Sequence, residues 1–333
     1  MFTKELVERN VIMMGKKILI TGASGFVGSH LVDYLALDSN NILFGTHFSK
    51  SPPKNLDKSK ERIQLLEIDL RNENEVYNLV DKVKPDVIYH LAAFTSAADS
   101  FKSPRETVLN NIACQINIFE AMRKSKLLNS RTLVVASAEI YGTVKKEDLP
   151  MDEETPLNPT NPYAVSKLTQ DFLGRQYFLS YGLKTVRVRP FNHVGPRQAP
   201  NFVVSSFAQK IVEIEKGKRT PILPVGNLEA KRDFTDVRDV VRAYSLLMEK
   251  GEFGEGYNIG SGTSYKISEV LEKLLSFSSA KITVNVDKSL FRPIDDPDLV
   301  CDATKINRLT GWKPEIPMEK TLKDTLDYWR DII

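Results

Sequence analysis

For about 190 residues, short runs rich in valine, isoleucine and leucine alternate with longer stretches of helical period. No other feature of the chain restricts its fold as much. The spacing predicts strands at 17–20, 42–46, 64–68, 87–91, 132–136 and 185–188, with helices over 25–37, 73–83, 105–124 and 162–181 between them. Strands joined by connections this long run parallel, since an antiparallel pair needs only a hairpin. The expected fold class is therefore α/β, a doubly wound parallel sheet whose ligand lies across the carboxyl ends of the strands.

Beyond Pro190 the rhythm changes. Pro196, Pro200, Pro221 and Pro224 interrupt the chain around one helix, 202–216, and a helix near 237–249 with a strand near 257–259 reads as a return to the main sheet. From Ser268 onward two short helices are expected around the segment Arg292-Pro293-Ile294-Asp295-Asp296-Pro297. A length of 333 residues suits about two domains, so a second, smaller and discontinuous domain is expected. The 46 Lys and Arg against 43 Asp and Glu leave a net charge of +3, which argues against a nucleic-acid or anionic-membrane partner. Cys114 and Cys301 are too few for a disulfide framework and read as core thiols. His30, His47, His90 and His193 are far apart in sequence, so no metal site is expected. No apolar run approaches the ~20 residues of a membrane span. Residues 1–14 lack a signal-peptide core and read as an extension. These features predict a cytoplasmic protein.

The first strand runs into Thr21-Gly22-Ala23-Ser24-Gly25-Phe26-Val27-Gly28 and then into a helix. Glycines at such a turn let the backbone approach a pyrophosphate, which rests on the free N–H groups of the helix start. Gly22, Ser24, Gly25, Phe26, Val27 and Gly28 are thus candidates for holding a dinucleotide. NAD-binding folds often place an acid about 20 residues later for the adenosine ribose. Here the second strand ends Thr46-His47-Phe48-Ser49-Lys50. His47, Ser49 and Lys50 would donate to a 2′-phosphate where an acid would repel it, which favours NADP and leaves NAD open. Asp69 and Leu70 close the third strand where an adenine edge would lie. Leu91, Ala92 and Ala93 close the fourth, small enough to admit the cofactor closely.

In Asn161-Pro162-Tyr163-Ala164-Val165-Ser166-Lys167, Asn161 suits an N-cap and Pro162 a first helical position. Tyr163 and Lys167 then stand one turn apart on one face. An adjacent ammonium would favour the phenolate and bring a phenol of ordinary pKa about 10 into working range. Ser137 ends the fifth strand and would bind a substrate oxygen.

With these motifs in order, the chain resembles the extended short-chain dehydrogenase/reductase family from Lys16 to Arg330. The resemblance implies that Tyr163 exchanges a proton with a sugar C4 oxygen and that Ser137 hydrogen-bonds that oxygen. Lys167 would bind the nicotinamide ribose and lower the phenol pKa, and Asn111 would support the lysine. The stretch from Arg189 to Arg197 resembles the segment of nucleotide-sugar enzymes that passes from nicotinamide to sugar diphosphate, and the stretch from Val225 to Asp239 resembles the GDP-sugar branch. That branch holds ketoreductases that form GDP-rhamnose and dehydratases that act on GDP-mannose. Ser96, Glu139, Asn192, Val203, Asn227, Arg232 and Arg292 would then bind the sugar nucleotide, the two arginines at the diphosphate. The resemblance also implies a homodimer through helices 105–124 and 162–181.

Two reactions compete. A 4-ketoreductase needs a hydride donor and Tyr163 as proton donor. A 4,6-dehydratase also needs a base for the C5 proton, for which Glu139 is the candidate, and an acid for the departing C6 hydroxyl. Ala138 occupies a place where several dehydratases carry Asp or Ser, and a methyl donates no proton. That favours the reduction of a GDP-4-keto-6-deoxy sugar, of mannose or heptose type, for surface polysaccharide. A 4-epimerase and a non-catalytic dinucleotide-binding regulator are weaker readings, the latter because Ser137, Tyr163 and Lys167 are all retained.

Overall fold

A computed structural model describes residues 15–48, 54–291 and 298–333. The first half alternates strand and helix: β1 (Lys17–Thr21), α1 (Phe26–Leu35), β2 (Ile42–His47), β3 (Ile63–Glu67), α2 (Glu73–Val83), β4 (Val87–His90), α3 (Ala97–Ser100), α4 (Pro104–Lys124), β5 (Arg131–Val135), α5 (Pro162–Tyr181) and β6 (Lys184–Pro190). Local chemistry sets the boundaries. Asn72 caps α2 by accepting from the N–H groups of Asn74 and Glu75, and α5 starts on Asn161 and Pro162 and stops at Gly182 in the left-handed region.

The second half holds β7 (Asn192–Val194), α6 (Val203–Glu215), β8 (Ile222–Val225), β9 (Lys231–Asp236), α7 (Val237–Lys250), β10 (Gly256–Ile259), β11 (Ser264–Lys266), α8 (Ile267–Ser276), β12 (Thr283–Val286), β13 (Asp298–Leu299), α9 (Thr304–Thr310) and α10 (Met318–Ile332). The main sheet has the order β10-β6-β5-β4-β1-β2-β3, every neighbouring pair parallel. The fold is the expected doubly wound α/β sheet. Its strand order reverses beside β1, which opens the ligand crevice between β1 and β4.

Alternate residues of each central strand feed opposite layers. Ile18 and Ile20 pack with Leu31, Val240 and Tyr244 under α1 and α7, while Leu19 packs with Val80, Ile118 and Phe119 under α2 and α4. A separate core of Phe207, Ile211, Phe234, Leu271, Leu326 and Trp329 sits beneath a smaller sheet centred on β9, which pairs with β7, β11 and β13. This unit caps the carboxyl end of the main sheet.

One expectation needs correction. Three helices, not two, follow β11 among the described residues, the last being α10 with 15 residues. Residues 303–312 pack on the main sheet. Ile306 and Trp312 join the core of Leu31 and Val240, and the Trp312 indole donates to the Asp239 carbonyl at 3.0 Å. A large buried indole outweighs the neighbourhood in sequence.

Candidate active site

Close approach fixes the glycine turn. Gly22 has φ +67°, and a Cβ on Gly28 would stand 2.2 Å from the Gly22 carbonyl oxygen. Gly25 caps α1 without a side-chain bond, and no acid occupies the first turn. The N–H groups of Phe26, Val27 and Gly28 therefore lack intrahelical acceptors and face no competing carboxylate. That donor set fits a pyrophosphate. Beneath it, Thr21 Oγ1 accepts from the N–H groups of Leu91 and Ala92, both at 3.1 Å, and lies 2.9 Å from His90 Nδ1. With its lone pairs taken, the hydroxyl must donate to Nδ1, which leaves the His90 proton on Nε2. Burial pulls that imidazole down to about 3, so it is neutral.

The other dinucleotide candidates fall along the same crevice. The Ser24 carbonyl accepts from Asn55 Nδ2, Val27 and Leu91 pack on the core beneath α1, and Leu70 and Ala92 pack on the opposite one. Ala93 is half-buried. The His47 side chain has a buried Nδ1 without a partner among the described residues. Asp69 holds Arg71 by two bonds of 2.8 and 2.9 Å, with the guanidinium above Phe48. Ser49 and Lys50 lie outside the described residues.

The Ser-Tyr-Lys set assembles where β5 meets α5. Ser137 follows β5, and its hydroxyl is near enough to Tyr163 to act on the phenol. Lys167 is 4% exposed, and its Nζ donates to the Val135 carbonyl at 2.8 Å and lies 5.9 Å from the Tyr163 ring centroid. Burial pulls the Lys167 ammonium down to about 7. Burial opposes the expected lowering of the phenol pKa by Lys167. Burial pushes Tyr163 above its ordinary value, Glu139 adds to the rise, and the Ser137 hydroxyl opposes it. Asn111 does not bond Lys167. Its Oδ1 accepts from Phe94 N at 2.8 Å and its Nδ2 donates to Phe94 O and to Ser166 Oγ, so it reaches α5 one residue short of the lysine.

A profile of the GDP-mannose 4,6 dehydratase family matches residues 19–325. The chain belongs to this family. It is 34% identical over 316 residues to the GDP-6-deoxy-D-mannose reductase of Pseudomonas aeruginosa, covering 95% of this chain and 98% of that protein. GDP-mannose 4,6 dehydratase 1 of Arabidopsis thaliana is 28% identical over 337 residues, covering 96% and 91%. Among solved structures, RMD from Pseudomonas aeruginosa complexed with NADPH superposes with a TM-score of 0.83 at 32% identity, covering 96% of this chain and all of that one. UDP-glucose 4-epimerase of Thermus thermophilus with NAD gives 0.84 at 28%, covering 95% and 100%. Membership in the extended short-chain dehydrogenase/reductase family thus holds, and with it an enzyme. Because reductases, dehydratases and epimerases share this fold, the reaction is decided by the site.

In this member of the GDP-mannose 4,6 dehydratase family, Glu139 shares the turn after β5 with Ser137, whose Oγ accepts from Glu139 N at 3.2 Å. Asn161 does two jobs: its Oδ1 caps α5 on Ala164 N, and its Nδ2 holds Glu139 Oε2 at 2.8 Å. Sequence reasoning found the cap and missed the carboxylate clamp, whose signal was Glu139 following two residues after Ser137. Ser96 is an N-cap of α3, accepting from Asp99 N at 3.1 Å. Asn192 opens β7, Val203 opens α6, and Asn227 Oδ1 accepts from Glu229 N in the bend before β9. Arg232 is buried in the middle of the cap sheet, donating to the Lys231 carbonyl at 2.7 Å. Arg292 lies outside the described residues.

Beside Arg232 stands a residue the sequence did not reveal. Asp233 is fully buried, and its carboxylate accepts from Ser261 N, Ser261 Oγ, Gly262 N and Cys301 N at 2.6 to 3.1 Å. It ties β9 to the bend after β10 and to the chain leaving β13. No residue pattern distinguishes this acid from the exposed ones.

Proposed function

We propose that the protein reduces the 4-keto group of a GDP-4-keto-6-deoxy sugar, with NADPH as hydride donor. One observation carries the reading: Ser137 at the end of β5 and Tyr163 and Lys167 on the first turns of α5 come together, with Lys167 Nζ 5.9 Å from the ring of a buried Tyr163 whose phenol burial keeps protonated. Reduction needs such an acid in place before it starts. The likeness to a GDP-6-deoxy-D-mannose reductase and to a structure complexed with NADPH supports the same choice.

In this mechanism the turn at Gly22, Gly25 and Gly28 and the start of α1 would hold the pyrophosphate, and His47 would serve the adenosine end, the role also assigned to Ser49 and Lys50. Ser137 and Tyr163 donate to the 4-keto oxygen and fix the face presented for attack. NADPH, when bound, supplies the hydride that makes C4 tetrahedral. As charge gathers on the oxygen, Tyr163 gives up its proton and Lys167 stabilises the resulting phenolate. Lys167 spends one N–H on Val135, leaving two for a ribose hydroxyl. Arg232 and Arg292 hold the diphosphate, while Ser96, Asn192, Val203 and Asn227 border the sugar nucleotide.

Dehydration of GDP-mannose is the second reading, favoured by a carboxylate, Glu139, that Asn161 holds on the Ser137 turn. Two incubations separate the readings. The 4-keto-6-deoxy derivative with NADPH is expected to oxidise cofactor, and GDP-mannose with NADP is expected to give no ketone. Ketone formation from GDP-mannose without net cofactor consumption would replace the reductase by the dehydratase.

We also propose that residues 15–190 with 236–260 bind the dinucleotide and that most of the rest binds the sugar nucleotide. A homodimer through α4 and α5 is supported by Val165, Phe172 and Leu179, exposed at seven-residue spacing along α5, and by exposed Leu109 on α4. Sedimentation at micromolar concentration is expected to show two chains, and a monomer would refute it. No described helix is long and apolar enough to cross a membrane. The two unpaired buried cysteines suit the reducing cytoplasm.

A further inference from the structure

We infer that residues 193–198 couple the two nucleotide sites, with His193 and Arg197 as positioning residues, so that a dinucleotide in the glycine turn tightens the hold of the cap on a sugar nucleotide. The inference rests on the proposed reading of those two sites. Phe26 contributes its N–H to the turn and its ring to a clamp. The His193 ring stacks on it at 5.9 Å and 11°, and the His30 ring meets it edge-on at 5.7 Å. His30 Nε2 donates to the Pro196 carbonyl at 2.9 Å, and burial keeps the imidazole neutral, pulled down to about 4. Arg197 pairs with Asp33 at 2.7 Å, and Asp33 is itself held by the Ser59 hydroxyl. The segment is thus fastened to the helix that starts at the pyrophosphate turn by a ring stack, a hydrogen bond and an ion pair.

From the same residues a bonded chain runs into the cap. Gln198 Nε2 donates to the His193 carbonyl at 2.9 Å, Ser205 Oγ to the Gln198 carbonyl at 2.6 Å, and the Trp329 indole to Ser205 Oγ at 3.1 Å. Ser205 is on α6 close to Val203, and Asn192 precedes His193 on β7, which pairs with the strand carrying Arg232. A ligand that orders the turn therefore orders Phe26, then His193, and then the residues that border the sugar nucleotide. The second ligand finds that ordering already done, which is positive coupling.

The test is calorimetric titration of the intact protein with GDP, alone and at saturating NADPH, a pair that does not react. The wild-type protein is expected to bind GDP about tenfold more tightly with NADPH present, and NADPH more tightly by the same factor with GDP present. His193→Leu keeps bulk and removes the stack and the bond of His193 Nδ1 to the Phe191 carbonyl at 3.0 Å, and Asp33→Asn breaks the ion pair. Each should reduce the coupling to about threefold or less while leaving GDP binding alone within about twofold of wild type. Wild-type coupling retained in the folded variants, or no coupling in the wild-type protein, overturns the inference and leaves the proposed function standing. Absence of NADPH or GDP binding in the wild-type protein overturns both. If one variant does not fold, judged by circular dichroism, the other decides.

Discussion

Two buried charge centres, Lys167 on the floor of the cleft and Asp233 in the cap, treat their bonding capacity in opposite ways. Among the described residues Lys167 has one hydrogen-bond acceptor, the Val135 carbonyl, and burial pulls its ammonium down to about 7. Asp233 takes four donors from three residues, and burial still raises its pKa. The open centre is suited to receive a ligand and stabilise charge as it develops. The filled one is suited to hold strands and bends where Arg232 needs them. Unfilled capacity at a buried charge marks chemistry, and filled capacity marks architecture.

The largest expected effect tests the open side. Tyr163→Phe keeps the ring and removes the proton donor, so kcat should fall by about 10²–10⁴-fold with the circular dichroism spectrum unchanged. Turnover within about threefold of wild type would show that the cleft's chemistry lies elsewhere. Asp233→Asn tests the filled side. An amide offers one oxygen to four donors and turns its own N–H groups on the rest, which should cost about 3 kcal/mol in urea unfolding and raise KM for the sugar nucleotide more than it lowers kcat. A neutral result would make Asp233 a bystander.

Lys167→Met should have the opposite sign on stability. A lysine whose folded pKa is depressed binds more protons when unfolded between about 7 and its ordinary 10.5, so wild-type stability rises with pH across that window. The variant should melt a few degrees higher than wild type near pH 7, and the gap should close towards pH 10 while activity is lost. A gap independent of pH would contradict the buried-ammonium account. The smallest effect is expected at His30, pulled down to about 4. The unfolded chain binds its proton first, so stability falls as pH drops from about 6.5 towards 4, and His30→Gln should flatten that slope in acid unfolding curves.

The same contrast explains what could be read from residues alone. The glycine turn, the capped α5 and the Tyr163/Lys167 pair obey local rules of spacing, so strand ends and helix faces placed them correctly. The cap sheet was not legible: β9 is a charged run, and β11 and β13 are three and two residues long, so only their partners define them. Asp233 owes its burial to those distant partners, and Trp312 owes its own to α1 and α7 of the main sheet. The direction of the Tyr163 shift depends on enclosure, which sequence does not display.

The central claim is that hydride from NADPH reaches C4 while Tyr163 protonates the oxygen. Turnover of the GDP-4-keto-6-deoxy sugar with NADPH deuterated at its transferable position tests it directly, with the product read by NMR. The account predicts one deuterium at C4 for each cofactor oxidised. A product without deuterium at C4, or ketone consumed with no cofactor oxidised, would contradict it.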